Sequence, residues 1–478
     1  MVARAWISFA LAFWGCTDRR SAVENSPLGS CVVRGVPREA ECGTVTVAEV
    51  PGASKQLGLH VVRVPARSTG GERRALFLLA GGPGQAATVA FPKLWPVLAS
   101  VAETHDLVMI DVRGTGESAP LDCPVVDDLA QAFHGGSLVA AAQACAPLHA
   151  GKNLEAFGTD ALVLDLEAVR KSLGYGAVDV LGVSYGTRLA LAYAGRFPES
   201  VRSLVLDAVA PPELILGGSF GRDGEAALDG LFTECAADTS CRTAFPDARA
   251  KYALLLERLA SAPTTLELRH PDSDAPLRVV MERNGLASVV RSLLYAPELA
   301  ALLPMTLSEV ERGVFQGLLA QTAVLSHSAD EGMSLGLLFS IACAEDVPRL
   351  TEADRAAEKK TLLGATLLDE FREACALWPV RPRPLTPLPL ELGVPTLLLS
   401  GALDPVTPPH WAERLRARLP RSTHVVVPQA GHGVMARGCV PRLVERFLDR
   451  DGAEGLDVSC AADHKRPAFF LDRGGPGP

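Results

Sequence analysis

The segment "LGVSYGTR" (181–188) sets Ser184 between Gly182 and Gly186. Before it, "AVDVLG" reads as a buried strand; after it, "TRLALAYAGRF" reads as a helix ended by Pro198. Strand, sharp turn and helix around a serine make the elbow that presents a nucleophilic hydroxyl. Small residues at 182 and 186 let the turn close without Cβ clashes, and the new helix points its positive end at the site. A serine hydroxyl also needs a base to take its proton and a third group to orient that base. "LLLSGALDPVTPP" puts Asp404 just beyond a later strand, and "VVVPQAGHGV" puts His432 in the loop after the next one. His410 and His424 are rival bases, but one falls at a helix start and the other inside a strand. The chemistry of this set is acyl transfer: Ser184 attacks, His432 takes and returns the proton, and Asp404 fixes the imidazole tautomer.

An oxyanion needs two preorganised N–H donors, each worth about 3 kcal/mol in the transition state. Tyr185, after the nucleophile, supplies one. The glycine loop "AGGPGQ" (80–85) supplies the other, with Gly82 preferred over Gly81.

These groups need a scaffold that gathers strand ends. In the first 210 residues strand runs alternate with helical patterns. "GTVTVAEV" (43–50) and "LGLHVVRV" (57–64) form an opening hairpin, followed by strands at 75–80, 106–112, 177–182 and 201–207. "TDALVLDLEAVRKSLG" (159–174) is a helix closed by Gly174. From about residue 213 helical patterns dominate, with a small hairpin around "LELRHPDSDAPLRVV", until the proline-rich connector at 378–393. Strands then resume at 395–400 and 423–428, with helices from 409 and near 440. The expected fold is α/β: a mostly parallel eight-stranded sheet covered on both faces, with a large, mainly helical cap inserted between strands 6 and 7. The expected units are a signal segment 1–16, core 31–212, cap and connector 213–390, core 391–462 and a tail 463–478 whose "RGGPGP" end should be disordered.

The net charge of −9, with no Lys/Arg-rich cluster, excludes a nucleic-acid partner. "MVARAWISFALAFWGC" is too short to cross a bilayer but suits a secretory signal. It also resembles a lipoprotein signal, in which Cys16 would be lipidated; a plain signal peptide and a misassigned start are the alternatives. Setting Cys16 aside leaves ten cysteines, an even number that suits five disulfides in an oxidising compartment. Pairing Cys31 with Cys42, Cys123 with Cys145, Cys235 with Cys241, Cys343 with Cys375 and Cys439 with Cys460 closes the shortest loops. Sequence alone does not fix that pairing, and ten buried thiols in a cytosolic enzyme is the competing reading. No CxxC pair suggests zinc, and the scheme needs no metal or organic cofactor.

The segments "GGPGQ", "DVRGTGES", "GVSYGTRLALAYAGRFPESVRSLVLD", "IACAED", "CALWP", "LLLSGALDPVTPP" and "AGHG" together resemble α/β-hydrolases of the proline iminopeptidase type. Among these the chain looks most like the secreted bacterial tripeptidyl aminopeptidases with their TAP-like C-terminal region, over about residues 31–460. Ala80 is a departure, because the iminopeptidases usually carry histidine before Gly-Gly-Pro-Gly. The resemblance implies an exported serine aminopeptidase (periplasmic, secreted or lipid-anchored) acting on short peptides, tripeptidyl- or prolyl-aminopeptidase-like, and a monomer that meets a membrane only through an N-terminal lipid. Asp111 and Arg113 of "DVRGTGES" are expected to buttress the glycine loop. An aminopeptidase must hold a free α-ammonium, which a carboxylate in a partly desolvated pocket does best. Glu345, with Asp346 second, is the candidate in "SIACAEDVP"; capping a helix or pairing with an arginine is the alternative. A carboxylesterase or lipase on the same scaffold is the first rival, since specificity lives in the cap. An inactive hydrolase-fold binding protein is the second.

Overall fold

The unbroken apolar runs of the sequence become the middle of one sheet. In the computed structural model, which describes residues 27–68, 74–124, 129–330, 332–450 and 452–476, strand β1 is Leu28–Cys31, β2 Ala40–Ala48, β3 Gln56–Val64, β4 Arg74–Leu79, β5 His105–Ile110, β6 Val178–Val183 and β7 Val201–Asp207. After the cap, β10 (Thr396–Gly401) and β11 (Ser422–Val427) complete a sheet ordered β1-β2-β3-β5-β4-β6-β7-β10-β11. β1 to β3 pair antiparallel, as does β3 with β5; every other pair is parallel. Every residue of β5 and β10 is buried, as a parallel strand covered on both faces requires. The sheet has nine strands rather than eight. The extra one, β1, is four residues of "LGSC" with no apolar alternation, and it is strand only because it pairs with β2.

Alternate residues of the strands feed two cores. Phe77, Leu79, Val108, Ile110 and Val180 face the helices Thr159–Ser172 and Tyr185–Arg196. Leu76, Leu78, Met109, Leu181 and Leu399 face the other side, against the helix Val440–Asp449 with Phe447. Burying each such side chain contributes about 2 kcal/mol.

Between β7 and β10 the chain builds the helices Phe220–Ala237, Ala248–Ser261, Arg283–Leu293 and Gln316–Asp330 and the hairpin β8 (Thr264–Arg269) and β9 (Pro276–Met281). They share a core of their own around Leu228, Leu231, Leu256, Leu286, Val290 and Leu318. Packing cuts the chain differently from sequence order. Phe133, from a helix before β6, is buried in the cap core, whereas Leu337, Phe339 and Ile341, from within the insert, are buried with the sheet. The tail also departs from expectation. Phe469 is buried in the cap core, the N–H of Phe470 donates to the Ala301 carbonyl, and Arg473 pairs with Glu309 at 2.8 Å. Phe470 and Leu471 pack against the same core, ahead of "RGGPGP" (473–478), whose last two residues lie outside the described residues.

The signal segment 1–16, with Cys16, lies outside the described residues. Among the described residues no helix is long and apolar enough to cross a membrane.

Candidate active site

Ser184 stands at the C-terminal end of β6 with φ of 55° and ψ of −123°, a left-handed backbone that non-glycine residues rarely adopt. The turn is held by three bonds. The Ser184 N–H donates to the carbonyl of Asp207 at 2.9 Å, while the Ser184 carbonyl accepts from the Thr187 N–H at 2.9 Å and its hydroxyl at 2.6 Å. Glycine is obligatory on either side: a Cβ on Gly182 would run into the Gly186 carbonyl, and one on Gly186 into that of Leu79. Close packing of β4, β6 and the helix Tyr185–Arg196 therefore imposes the strained turn.

His432 lies in the loop after β11, and its Nδ1 is 2.9 Å from Oδ2 of Asp404, which follows β10. Asp404 is fully buried; its Oδ1 accepts the N–H groups of Val406 and Thr407, both at 2.8 Å. The Thr407 hydroxyl donates to Asp404 Oδ2 at 2.8 Å and stands 3.2 Å from His432 Nδ1. Burial works against the Asp404 charge, but His432 and these donors outweigh it and hold the carboxyl below its usual range. Burial likewise disfavours an imidazolium at His432, yet Asp404 and then Asp207 outweigh it and raise the pKa above the ordinary histidine value. The cap contributes as well: the His432 N–H donates to the carbonyl of Tyr295 at 3.0 Å, and the two rings lie 4.9 Å apart. The rival histidines are engaged elsewhere, His410 with Asp223 at 2.9 Å and His424 with Glu413 and Ser400.

Asp207, which sequence reasoning passed over, ties these pieces together. Its carbonyl receives the Ser184 N–H, and its buried carboxylate accepts the N–H groups of Val434 at 2.9 Å and Met435 at 2.8 Å. The signal was an aspartate closing the apolar run "VRSLVLD", where an isolated charge demands partners.

The glycine loop lies against the serine: a Cβ on Gly81 would be 3.1 Å from Ser184 Cβ and 3.6 Å from its Oγ. Gly82 and Gly84 have φ of 106° and 122°. Tyr185 opens a helix, so its N–H has no intrahelical acceptor. The cap braces the loop, with the Ser334 N–H donating to the Gly84 carbonyl and the Ala86 N–H to that of Gly332, both at 2.8 Å. Asp111 accepts from the N–H and hydroxyl of Thr88, directly behind the loop. Arg113 does not reach the loop; it forks onto Asp165 and donates to the carbonyls of Glu49 and Ala156.

Glu345 and Asp346 are not where a free ammonium receptor should be. They lie on a π-helical turn (Ala342–Asp346) and are 2% and 0% exposed, each already bonded within the protein. Glu345 accepts the N–H of Thr159 at 2.8 Å and its hydroxyl at 2.5 Å, capping the helix Thr159–Ser172, whose own N-cap, Gly158, has no side chain to do so. The hydroxyl of Thr159 also meets that of Tyr185 at 2.8 Å, and burial raises the Glu345 pKa. Asp346 pairs with Arg188 at 2.9 Å and Arg349 at 2.6 Å; Arg188 is itself buried in the helix that Ser184 begins. An acidic pair beside a cysteine reads the same whether it faces a cleft or a packed helix, and packing decided for the second.

Five disulfides join Cys31 to Cys42, Cys123 to Cys145, Cys235 to Cys241, Cys343 to Cys375 and Cys439 to Cys460. His149 lies beside Cys123 and Cys145, but their sulfurs are bonded to each other and offer no thiolate to a metal.

Residues 74–436 match a family profile described as alpha/beta hydrolase fold. The chain is 28% identical to a tripeptidyl aminopeptidase of Streptomyces coelicolor, over 89% of this chain and 84% of that protein. It is 27% identical to the serine protease Hip1 of Mycobacterium tuberculosis, over 86% of each. Among solved structures, an epoxide hydrolase from Bacillus megaterium is similar at 16% identity and a TM-score of 0.38, covering 83% of this chain and 96% of that one.

Proposed function

Because this chain belongs to the α/β-hydrolase family, as a serine hydrolase, we propose that it is an exported aminopeptidase cleaving short peptides through an acyl-enzyme on Ser184. His432 draws the proton from the Ser184 hydroxyl as it attacks the scissile carbonyl and hands it to the departing amine. In the second half it does the same for water, releasing the acyl part. Asp404 keeps the Nδ1 proton in place so that Nε2 is the working nitrogen, and it stabilises the imidazolium as it forms. The N–H groups of Gly82 and Tyr185 receive the charge that develops on the carbonyl oxygen.

The observation that carries this reading is the 2.9 Å Asp404–His432 bond, in a loop that Asp207 docks onto the turn bearing Ser184. The peptidase assignment draws on relatives named for peptide cleavage, with high coverage of both chains. Export is supported by the five disulfides, which persist in oxidising compartments.

Two measurements test the reading. An active-serine phosphonate should label the protein at Ser184 and fail to label Ser184→Ala. Free-amine peptides should be cleaved much faster than their N-acetylated forms; equal rates would end the aminopeptidase assignment. Turnover of small esters with no peptide cleaved would return the chain to the esterases.

A further inference from the structure

The acyl-transfer scheme leaves one positive charge beside the reacting centre unused. Arg291, on the helix Arg283–Leu293, is half-buried, and its stem crosses the helix Phe220–Ala237 where Gly224 makes room: a Cβ there would meet Arg291 Cγ at 3.1 Å. The guanidinium lies 5.9 Å from the ring centroid of Phe220 and 5.7 Å from that of Tyr295. Its Nη1 donates to the Tyr295 hydroxyl over a long 3.4 Å. Among the described residues no carboxylate comes within ion-pair distance of it. The nearest acids in sequence on the facing helix have other partners: Asp223 holds Ser219, His410 and Trp411, and Glu225 holds Arg249 and the N–H of Leu362. Tyr295 places this charge near the chemistry, since its ring lies 4.9 Å from that of His432 and its carbonyl receives the His432 N–H. The guanidinium is close enough to oppose protonation of His432.

A guanidinium offers five donors in a planar fork matched to carboxylates, and at Arg291 only Nη1 has a protein partner among the described residues, so the rest of the fork is open to water or to an anion that displaces it. Stacking on two rings holds the fork still but satisfies none of those donors. We propose that Arg291 is an anion subsite beside the catalytic centre, which receives a carboxylate of the substrate. The same charge repels an α-ammonium, so the amino end of a peptide lies away from it and the negative end lies towards it. The carboxylate has two sources: the free C-terminus of a short peptide, or an Asp or Glu side chain near the scissile bond. For peptides this rests on the peptidase reading above; the subsite itself does not.

The test uses matched substrates and reports ratios of kcat/KM. One pair of free-amine peptides ends in carboxylate or carboxamide, a second carries Glu or Gln beside the cut, and an ester pair is 4-acetoxybenzoate and 4-acetoxybenzamide. Full-length protein should prefer the anionic member of at least one pair by about tenfold or more, the scale of a charge-assisted bidentate contact. R291Q should bring that ratio to about one, R291K should keep an intermediate ratio, and added salt should erode the wild-type preference. The pair that responds identifies the source. Ratios near one in every pair, or an R291Q loss shared equally by both members, overturn the proposal. If esters turn over and no peptide does, the peptidase reading has failed and the ester pair alone decides Arg291.

Discussion

Asp207 and Ser184 are bonded backbone to backbone at 2.9 Å, while the Asp207 side chain holds the loop of His432 through Val434 and Met435. One residue at the end of β7 thus ties the Ser184 turn to the loop that carries His432.

Asp207→Asn should move the acid limb of the kcat/KM profile to lower pH. His432 must be neutral to act as base, and Asp207 is among the groups that raise its pKa. A pH–rate profile of both proteins checks this; an unmoved limb would separate Asp207 from the base.

The same substitution changes how stability depends on pH. Burial pushes Asp207 up to about 6 from a reference of 3.8, with the Val434 and Met435 N–H groups partly opposing. The folded state therefore keeps this proton after the unfolded chain has lost it. The cost of the buried charge is absent below about pH 4, grows through about pH 6 and is complete above it. Melting temperatures between pH 4 and 7 should show wild type losing ground relative to Asp207→Asn as pH rises.

Asp404→Asn should lower kcat/KM by about 10³- to 10⁴-fold through loss of the correct tautomer. Thr407→Val should cost about tenfold in kcat with KM nearly kept, because the hydroxyl steadies both Asp404 and His432. Thr407→Ser should restore most of it, which a purely packing role for the methyl would not allow.

Gly84→Ala should lower kcat by about 10²- to 10³-fold, the cost of a lost oxyanion donor, with a smaller change in KM. Its Cβ would sit 2.6 Å from the Ser334 carbonyl, pushing the loop off its brace. Steady-state kinetics on a small ester reads this without reference to peptide specificity.

Asp346→Asn should destabilise the protein by about 3–5 kcal/mol, because it leaves the buried Arg188 without its counter-charge. Denaturant unfolding measures it. A stable variant that had lost only affinity for free-amine peptides would restore Asp346 as the ammonium receptor.

The residues proposed to carry chemistry were legible because each sits at the end of its own element. The "AVDVLG" run, the flanking glycines and the helix after them are local patterns, so Ser184 was marked by a strained turn that sequence imposes nearby. Asp404 follows the buried strand β10 and His432 the edge strand β11, and a parallel sheet sends the ends of both to one edge. The even cysteine count anticipated disulfides. Contacts between distant segments decided the rest. β1 is a strand only because β2 is there to pair with it, and Phe469 anchors the tail only because the cap core has room for it. Glu345 and Asp346 show the limit most clearly: a carboxylate's role depends on whether water, a helix end or a guanidinium faces it. Thr159 and Arg188, more than 150 positions earlier, made that choice. Asp207, Thr407, Tyr295 and Arg291 gained their places in the same way, since burial makes a polar group take partners and only the folded chain supplies them.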